Sequence, residues 1–292
     1  MVDDKAKSKS LFLAECLGTF ILIFFGCGAV HAAVCFGAQS GLWQVAIVWG
    51  LAIMLAIYVV GGVSGAHINP AITIMLAIWD DFPVHRVGVY FAGQLAGAML
   101  AAATLFILFS PTLKTIEDRY GVMRGEPGSE ITASCYGEYF PNPGALKLEP
   151  YSVEEHASLK ETVPHSVAFL AELLGTAILA IVVLSVGDQK NKERPPAGLA
   201  AVFIGLTVSA LISVIAPLTQ ACFNPARDFG PRLFAYFAGW GEIALPLGGD
   251  MSWLTVYIIA PILGAVLGGG LYKKFLSTCY SLNGADEETL AG

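Results

Sequence analysis

Two copies of Asn-Pro-Ala, at 69–71 and 224–226, fall inside stretches that are otherwise apolar enough to lie in a membrane. The first closes the run Gly65-Ala-His-Ile-Asn-Pro-Ala71, and the second begins 155 residues after it. Gly and Pro break helices, and backbone freed from a helix cannot face lipid, where no water replaces its lost hydrogen bonds. Such a break survives at membrane depth only when packed in protein or lining a wet cavity. One break can be purely structural. Two matching breaks, each followed by an apolar run too short to cross, point to a transport site between two halves.

The surrounding sequence supplies the membrane. Of 292 residues, 55% are hydrophobic and 13% charged, with a mean hydropathy of +0.67. Soluble domains carry about a quarter charged residues, so this composition reads as an integral membrane protein. Apolar runs at 11–34, 42–63, 87–109, 167–186, 197–215 and 253–276 approach the roughly 20 residues that a spanning helix needs. The first is too long for a signal-peptide core and is expected to stay as a span. The runs at 71–79 and 224–240 are half-helices that enter and end inside. The expected layout is a short N-terminal segment (1–10), a channel domain (11–276) and an acidic tail (277–292) with Asp286, Glu287 and Glu288. The halves are about 11–110 and 165–276, joined by a polar external segment, 111–163.

The halves repeat. Ala14-Glu15-Cys16-Leu17-Gly18-Thr19 matches Ala171-Glu172-Leu173-Leu174-Gly175-Thr176. Trp49-Gly50-Leu51 matches Ile204-Gly205-Leu206, and Gly97-Ala98 echoes Gly264-Ala265. Each half reads helix, helix, half-helix, helix. Three full crossings per half turn the second half upside down. The fold class is therefore all-α, with six transmembrane helices and two re-entrant half-helices in an inverted repeat. Lys5, Lys7, Lys9, Arg86, Lys190, Lys192, Arg194, Lys273 and Lys274 all fall on one side of this layout, which places both termini in the cytoplasm.

Physics gives the paired motif a task. Pro at the first helical position gives up an N–H that has no intrahelical partner, and Asn before it is a good cap. Half-helices entering from opposite faces bring Asn69 and Asn224 together with two positive dipole ends aimed at one spot. A cation there meets repulsion and loses its water at great cost, whereas a neutral hydroxylated molecule loses little. The lead-in backbone, expected to be extended, offers carbonyl ladders from Gly65, Ala66 and His67 and from Gln220, Ala221 and Cys222. Carboxylates inside spans are functional by default, and Glu15 and Glu172 are expected to accept hydrogen bonds from this irregular backbone.

Ser-Gly-Ala-His-Ile-Asn-Pro-Ala (64–71) and Asn-Pro-Ala-Arg-Asp-Phe-Gly-Pro-Arg (224–232) resemble the major intrinsic protein family, the aquaporins and glycerol facilitators. The resemblance covers roughly residues 10–276. It implies six tilted spans, two re-entrant half-helices, and a homotetramer with one pore per subunit. It also implies a selectivity filter at Trp49, Ile212, Ala221 and Arg227, and a supporting role for Glu15 and Glu172. Asp228 resembles the glycerol-conducting branch. Glycerol facilitators often carry an aromatic residue where Ala221 stands and Gly where Ile212 stands, so bulk has moved across the ring, with Gln220 or Phe223 as candidates to refill it.

The expected function is a passive channel for glycerol-like neutral solutes and some water, set in the plasma membrane (the inner membrane in a bacterium). A mainly water-selective pore, or a wider one for urea or larger polyols, is the alternative. Cys222 stands beside the filter as a candidate for mercurial block. Cys35 and Cys135 can meet on one membrane face; the other cysteines read as small buried hydrophobes. His31, His85, His156 and His165 read as loop or interface residues. No triad, metal cluster or phosphate loop is legible, so no enzyme, cofactor, metal or nucleic-acid partner is expected.

Overall fold

A computed structural model describes residues 4–144 and 162–280; His156 and the acidic residues of the tail lie outside the described residues. Its long helices are α1 (Asp4–Phe36), α2 (Leu42–Ser64), α4 (Val87–Tyr120), α6 (His165–Gly187), α7 (Ala200–Thr219) and α9 (Ser252–Tyr280). The half-helices are α3 (Pro70–Trp79) and α8 (Pro225–Ala235), and a single turn, α5, spans Glu130–Ala133. Among the described residues six helices are long and apolar enough to cross a membrane. Side chains such as Ile107 and Val214 stand about three-quarters exposed on the outside, a surface that requires lipid rather than water.

The halves are assembled by small residues. Gly97 lies so close to α1 that a Cβ would stand 2.1 Å from the Cys16 carbonyl oxygen; its mate Gly264 would meet the Leu173 carbonyl of α6 at 2.2 Å. Gly50 of α2 and Gly205 of α7, partners in the repeat, touch each other: a Cβ on either would sit 2.4–2.6 Å from the other's carbonyl oxygen. Repeat mates that touch lie on the axis relating the halves. The half-helices are exchanged, with α3 packed on α9 and α8 on α4. Neither half closes without the other.

The boundaries differ most after 109. Helix α4 does not stop there but runs through Pro111 to Tyr120. Its 34 residues measure about 51 Å, well beyond a hydrocarbon core of about 30 Å. The apolar run ends at the membrane surface, but the helix continues because Leu113 and Ile116 bury one face of it. Arg124 returns to Glu117 through two hydrogen bonds of 3.0 Å and closes the turn. The chain from Ser134 to Asn142 then lies against α8 and the end of α7.

Candidate functional site

The two Asn residues meet as the inverted repeat requires. Each is an extended-backbone cap: Asn69 Oδ1 accepts from the Ala71 N–H (2.9 Å), and Asn224 Oδ1 accepts from those of Ala226 (3.1 Å) and Arg227 (3.3 Å). Their amide nitrogens donate across the axis. Asn69 Nδ2 bonds the Phe223 carbonyl and Asn224 Nδ2 bonds the Ile68 carbonyl, both at 2.8 Å. The half-helices are thus stitched tip to tip by reciprocal hydrogen bonds, and two dipole ends converge there.

The sequence reading expects an extended lead-in backbone, and the structure corrects this. It carries positive φ at Gly65 (82°), Ala66 (51°) and Ile68 (44°), and at Gln220 (63°), Ala221 (64°) and Phe223 (53°). For Ile and Phe this left-handed region is strained, and the strain is held by carboxylates. Glu15 accepts from the Ser64 hydroxyl (2.6 Å) and from the His67 (3.0 Å) and Ile68 (2.8 Å) N–H groups. Glu172 does the same for Thr219 (2.6 Å), Cys222 (2.9 Å) and Phe223 (2.8 Å). In a trans peptide the C=O points opposite to the N–H of the next residue. With those N–H groups aimed at Glu15 and Glu172, the carbonyls of Ala66, His67, Ala221 and Cys222 point away from them. Glu15 also takes Gln94 Nε2 at 2.8 Å; the second half has Pro261 at the matching place.

Three cavities follow one another along this line and share walls. An inner one of about 120 Å³ is lined by Gly65, Ala66 and His67 opposite Ile57 and Val183. A narrow chamber of about 40 Å³ follows, and Trp49, Ile212, Ala221 and Arg227 all line it. An outer vestibule of about 370 Å³ shares Trp49, Ile212 and Arg227 with it. One wall is apolar (Leu22, Ile53, Leu179, Val208), and the other carries Asn69, Asn224 and the peptide groups before them. The Arg227 guanidinium lies 4.4 Å from the Trp49 ring. Neither Gln220 nor Phe223 refills the place of Ala221. The Gln220 amide is tied to the Tyr139 N–H (2.7 Å) and the Ser134 carbonyl, and the Phe223 ring packs on Gly175.

Arg227 is not a free charge. Nη1 donates to the Tyr136 carbonyl at 3.0 Å, and Nη2 makes an ion pair with the Glu138 carboxylate. Asp228, fully buried, accepts from the Glu138 N–H (2.7 Å) and grips Arg232 through two bonds, Nε–Oδ2 at 2.9 Å and Nη2–Oδ1 at 2.8 Å. Arg232 also donates to the Ala244 and Glu138 carbonyls.

Of the residues singled out in the sequence, Gly65, Ala66, His67, Asn69, Trp49, Ile212, Gln220, Ala221, Cys222, Asn224 and Arg227 line these cavities, and Glu15 and Glu172 hold the backbone before the half-helices. His67 serves through its backbone, its ring sandwiched by Phe82 and Tyr90 and bonded to Thr73. Cys222 lines the narrow chamber, buried. Cys35 and Cys135 share one apolar cluster as free thiols. Sequence reasoning missed the hydroxyls of Ser64 and Thr219, legible in hindsight as a pair 155 apart like the Asn residues, and Tyr90 and Tyr257, which donate to the Ser64 (2.6 Å) and Thr219 (3.2 Å) carbonyls. It also missed Tyr136 and Glu138, for which no local signal exists. Among the described residues no group of three or more His, Cys, Asp or Glu is placed to hold a metal.

Comparison with known proteins gives a consistent picture. The family profile described as Major intrinsic protein matches residues 3–272. The glycerol uptake facilitator protein of Pseudomonas aeruginosa is 41% identical over 275 residues, 93% of this chain and 91% of that one. That of Escherichia coli K12 is 37% identical over 268 residues, 92% of this chain and 88% of that one. A propanediol uptake facilitator of Citrobacter freundii is 38% identical, covering 92% of each. The X-ray structure of the aquaglyceroporin from Plasmodium falciparum superposes with a TM-score of 0.77 at 25% identity, covering 94% of this chain and 99% of that one.

Proposed function

The chain belongs to the major intrinsic protein family, and from that premise we propose that it is a passive channel for glycerol and related small neutral solutes, with some water. The observation that carries this is the two-sided lumen. One wall is apolar and suits a carbon backbone; the other offers carbonyl acceptors, two Asn amides and the Arg227 fork to hydroxyls. A glycerol molecule, with one oily and one hydroxylated edge, is complementary to both walls at once. Water crosses by the same acceptors. An ion does not, because the narrow chamber replaces little of its hydration and the paired helix ends repel cations.

The filter is assigned to Trp49, Ile212, Ala221 and Arg227, and the acceptor ladders to residues 65–67 and 220–222. Glu15, Glu172 and Asp228 hold this backbone and Arg227's surroundings in place. Both termini are assigned to the cytoplasm from the Lys and Arg distribution, the segment 111–163 to the outside, and the assembly to a homotetramer in the lipid bilayer of the plasma membrane. Relatives named for propanediol support a solute class wider than glycerol alone. The test is a panel of water, glycerol, propanediol, urea and longer polyols on one preparation of reconstituted vesicles. Glycerol-driven swelling well above empty vesicles is expected. Fast osmotic water flow with glycerol entry no faster than the lipid leak would replace this reading with a water-selective one.

A further inference from the structure

We propose that Glu138 is a specificity-determining residue of the constriction: its carboxylate balances the charge of Arg227, so that permeants meet fixed hydrogen-bond donors carrying no net charge. This rests on the channel reading above and deepens it. Glu138 comes from the segment after α5, which the sequence reading treats as external polar chain, yet it is 1% exposed and paired directly with Arg227, itself 4% exposed. Two cations and two carboxylates share this buried cluster. Asp228 is committed to Arg232 through both of its oxygens, which leaves Glu138 as the carboxylate paired with Arg227 among the described residues.

The carboxylate is held where it must be to act. The Glu138 N–H is fixed by Asp228 and its carbonyl by Arg232, and the next N–H, that of Tyr139, is fixed by Gln220. Arg227 is clamped between the Tyr136 carbonyl, the Trp49 ring and Glu138, so its position does not depend on the permeant. Glu138 Oε2, by contrast, has no hydrogen-bond donor among the described residues, and the residue lines the outer vestibule. A proton arriving there cancels the carboxylate charge without displacing Arg227. Exclusion of cations then belongs to the converging helix ends, and the positive charge of Arg227 is silent until Glu138 is neutralised.

Titration offers a second handle. Burial pushes the Glu138 carboxyl above its ordinary value; Arg227 and Arg232 of α8 oppose this, while Asp228 of α8 and Glu172 of α6 add to it. Cys27 of α1, Cys222 before α8 and Tyr257 of α9 also lie in its field, and Glu130, Tyr139, His165, Glu242 and Asp250 share a cavity with it on the other side. As pH falls the protonated form gains, and Arg227 is left unbalanced.

The experiment measures nitrate, an anion at every pH used, against glycerol in proteoliposomes of wild type and Glu138→Gln. A unit charge about 6 Å from a permeant, acting through an effective dielectric of about 20, shifts its occupancy roughly a hundredfold, and screening in a wet vestibule reduces this to about tenfold. At about pH 9.5, E138Q is therefore expected to show a nitrate-to-glycerol ratio about tenfold above wild type. The wild-type ratio should climb towards that of the variant as pH is lowered towards about 4, while the variant stays flat. A purely structural Glu138 predicts the opposite: the near-isosteric Gln keeps the wild-type ratio, and only Glu138→Ala disturbs transport. An E138Q ratio within about twofold of wild type overturns the proposal. If E138Q does not fold, the wild-type ratio followed down to about pH 4 decides alone, and a profile flat over that whole range overturns the proposal. Wild-type vesicles without glycerol flux would instead sink the channel reading, whereas glycerol flux with an unmoved nitrate ratio sinks only the assignment of Glu138.

Discussion

Glu172→Gln tests how the outer carbonyls are aimed. Oε1 of Glu172 accepts from the Thr219 hydroxyl and the Cys222 N–H, and Oε2 accepts from the Phe223 N–H at 2.8 Å. Gln supplies one oxygen in place of two. If it keeps the first pair, its amide nitrogen faces the Phe223 N–H, so one bond is lost and two donors meet. A hydrogen bond to a charged acceptor contributes about 1.5–3 kcal/mol, and a buried orphan N–H costs about 1–3 kcal/mol. A loss of roughly 2–4 kcal/mol is therefore expected, a drop in Tm of roughly 5–15 °C. Phe223 sits at φ 53°, so once released it relaxes towards negative φ and turns the Cys222 carbonyl off the lumen. One acceptor fewer along the path raises the barrier by about 1–1.5 kcal/mol, so glycerol flux should fall about tenfold. Thermal melting of the purified variant and glycerol swelling of reconstituted vesicles check the two halves separately. Lowered Tm with undiminished flux would show that the carboxylate stabilises the fold without aiming the carbonyls. Unchanged Tm would refute the hydrogen-bond assignment itself.

Other substitutions probe the remaining contacts. Ala221→Phe places a ring in the chamber of about 40 Å³ and should slow longer polyols more than glycerol, and glycerol more than water; equal slowing of all three, read from the vesicle panel, would remove that side chain from the aperture. At about pH 9.5, Arg227→Ala strands the buried Glu138 carboxylate and should destabilise by about 3–5 kcal/mol, most of it recovered in Arg227→Ala with Glu138→Ala or at lower pH, where the carboxyl takes up a proton; additive melting shifts would contradict the ion pair. Gly50→Ala forces a Cβ to within 2.1 Å of Ser209 Oγ and 2.6 Å of the Gly205 carbonyl and should cost about 1–3 kcal/mol in a melt. Gly62→Ala, with nothing within 4 Å, should be neutral or slightly stabilising.

Most of the architecture was legible because each signal lies within a short window. A helix in lipid satisfies its own backbone, so apolar length alone marks the spans, and Asn-Pro-Ala marks the half-helix starts wherever it stands. The spacing of the copies carries the inverted repeat, which in turn obliges Asn69 and Asn224 to meet. The same logic failed at residue 109. Past the membrane surface a helix needs no continuous apolar run, only a face to bury, and Leu113 and Ile116 supply it.

What the chain by itself determined is the number of crossings, the inversion of the halves, the pairing of the caps and the carboxylates behind them. Only the tertiary structure decided the sign of φ before each half-helix, the place left open by Ala221, and the carboxylate that meets Arg227. Those depend on which groups arrive from far away in the chain. Glu138 reaches Arg227 across 89 positions, and its polar loop sequence carries no trace of that destination. A buried ion's partner is chosen by the packing that excludes water around it, and packing is a property of the assembled bundle.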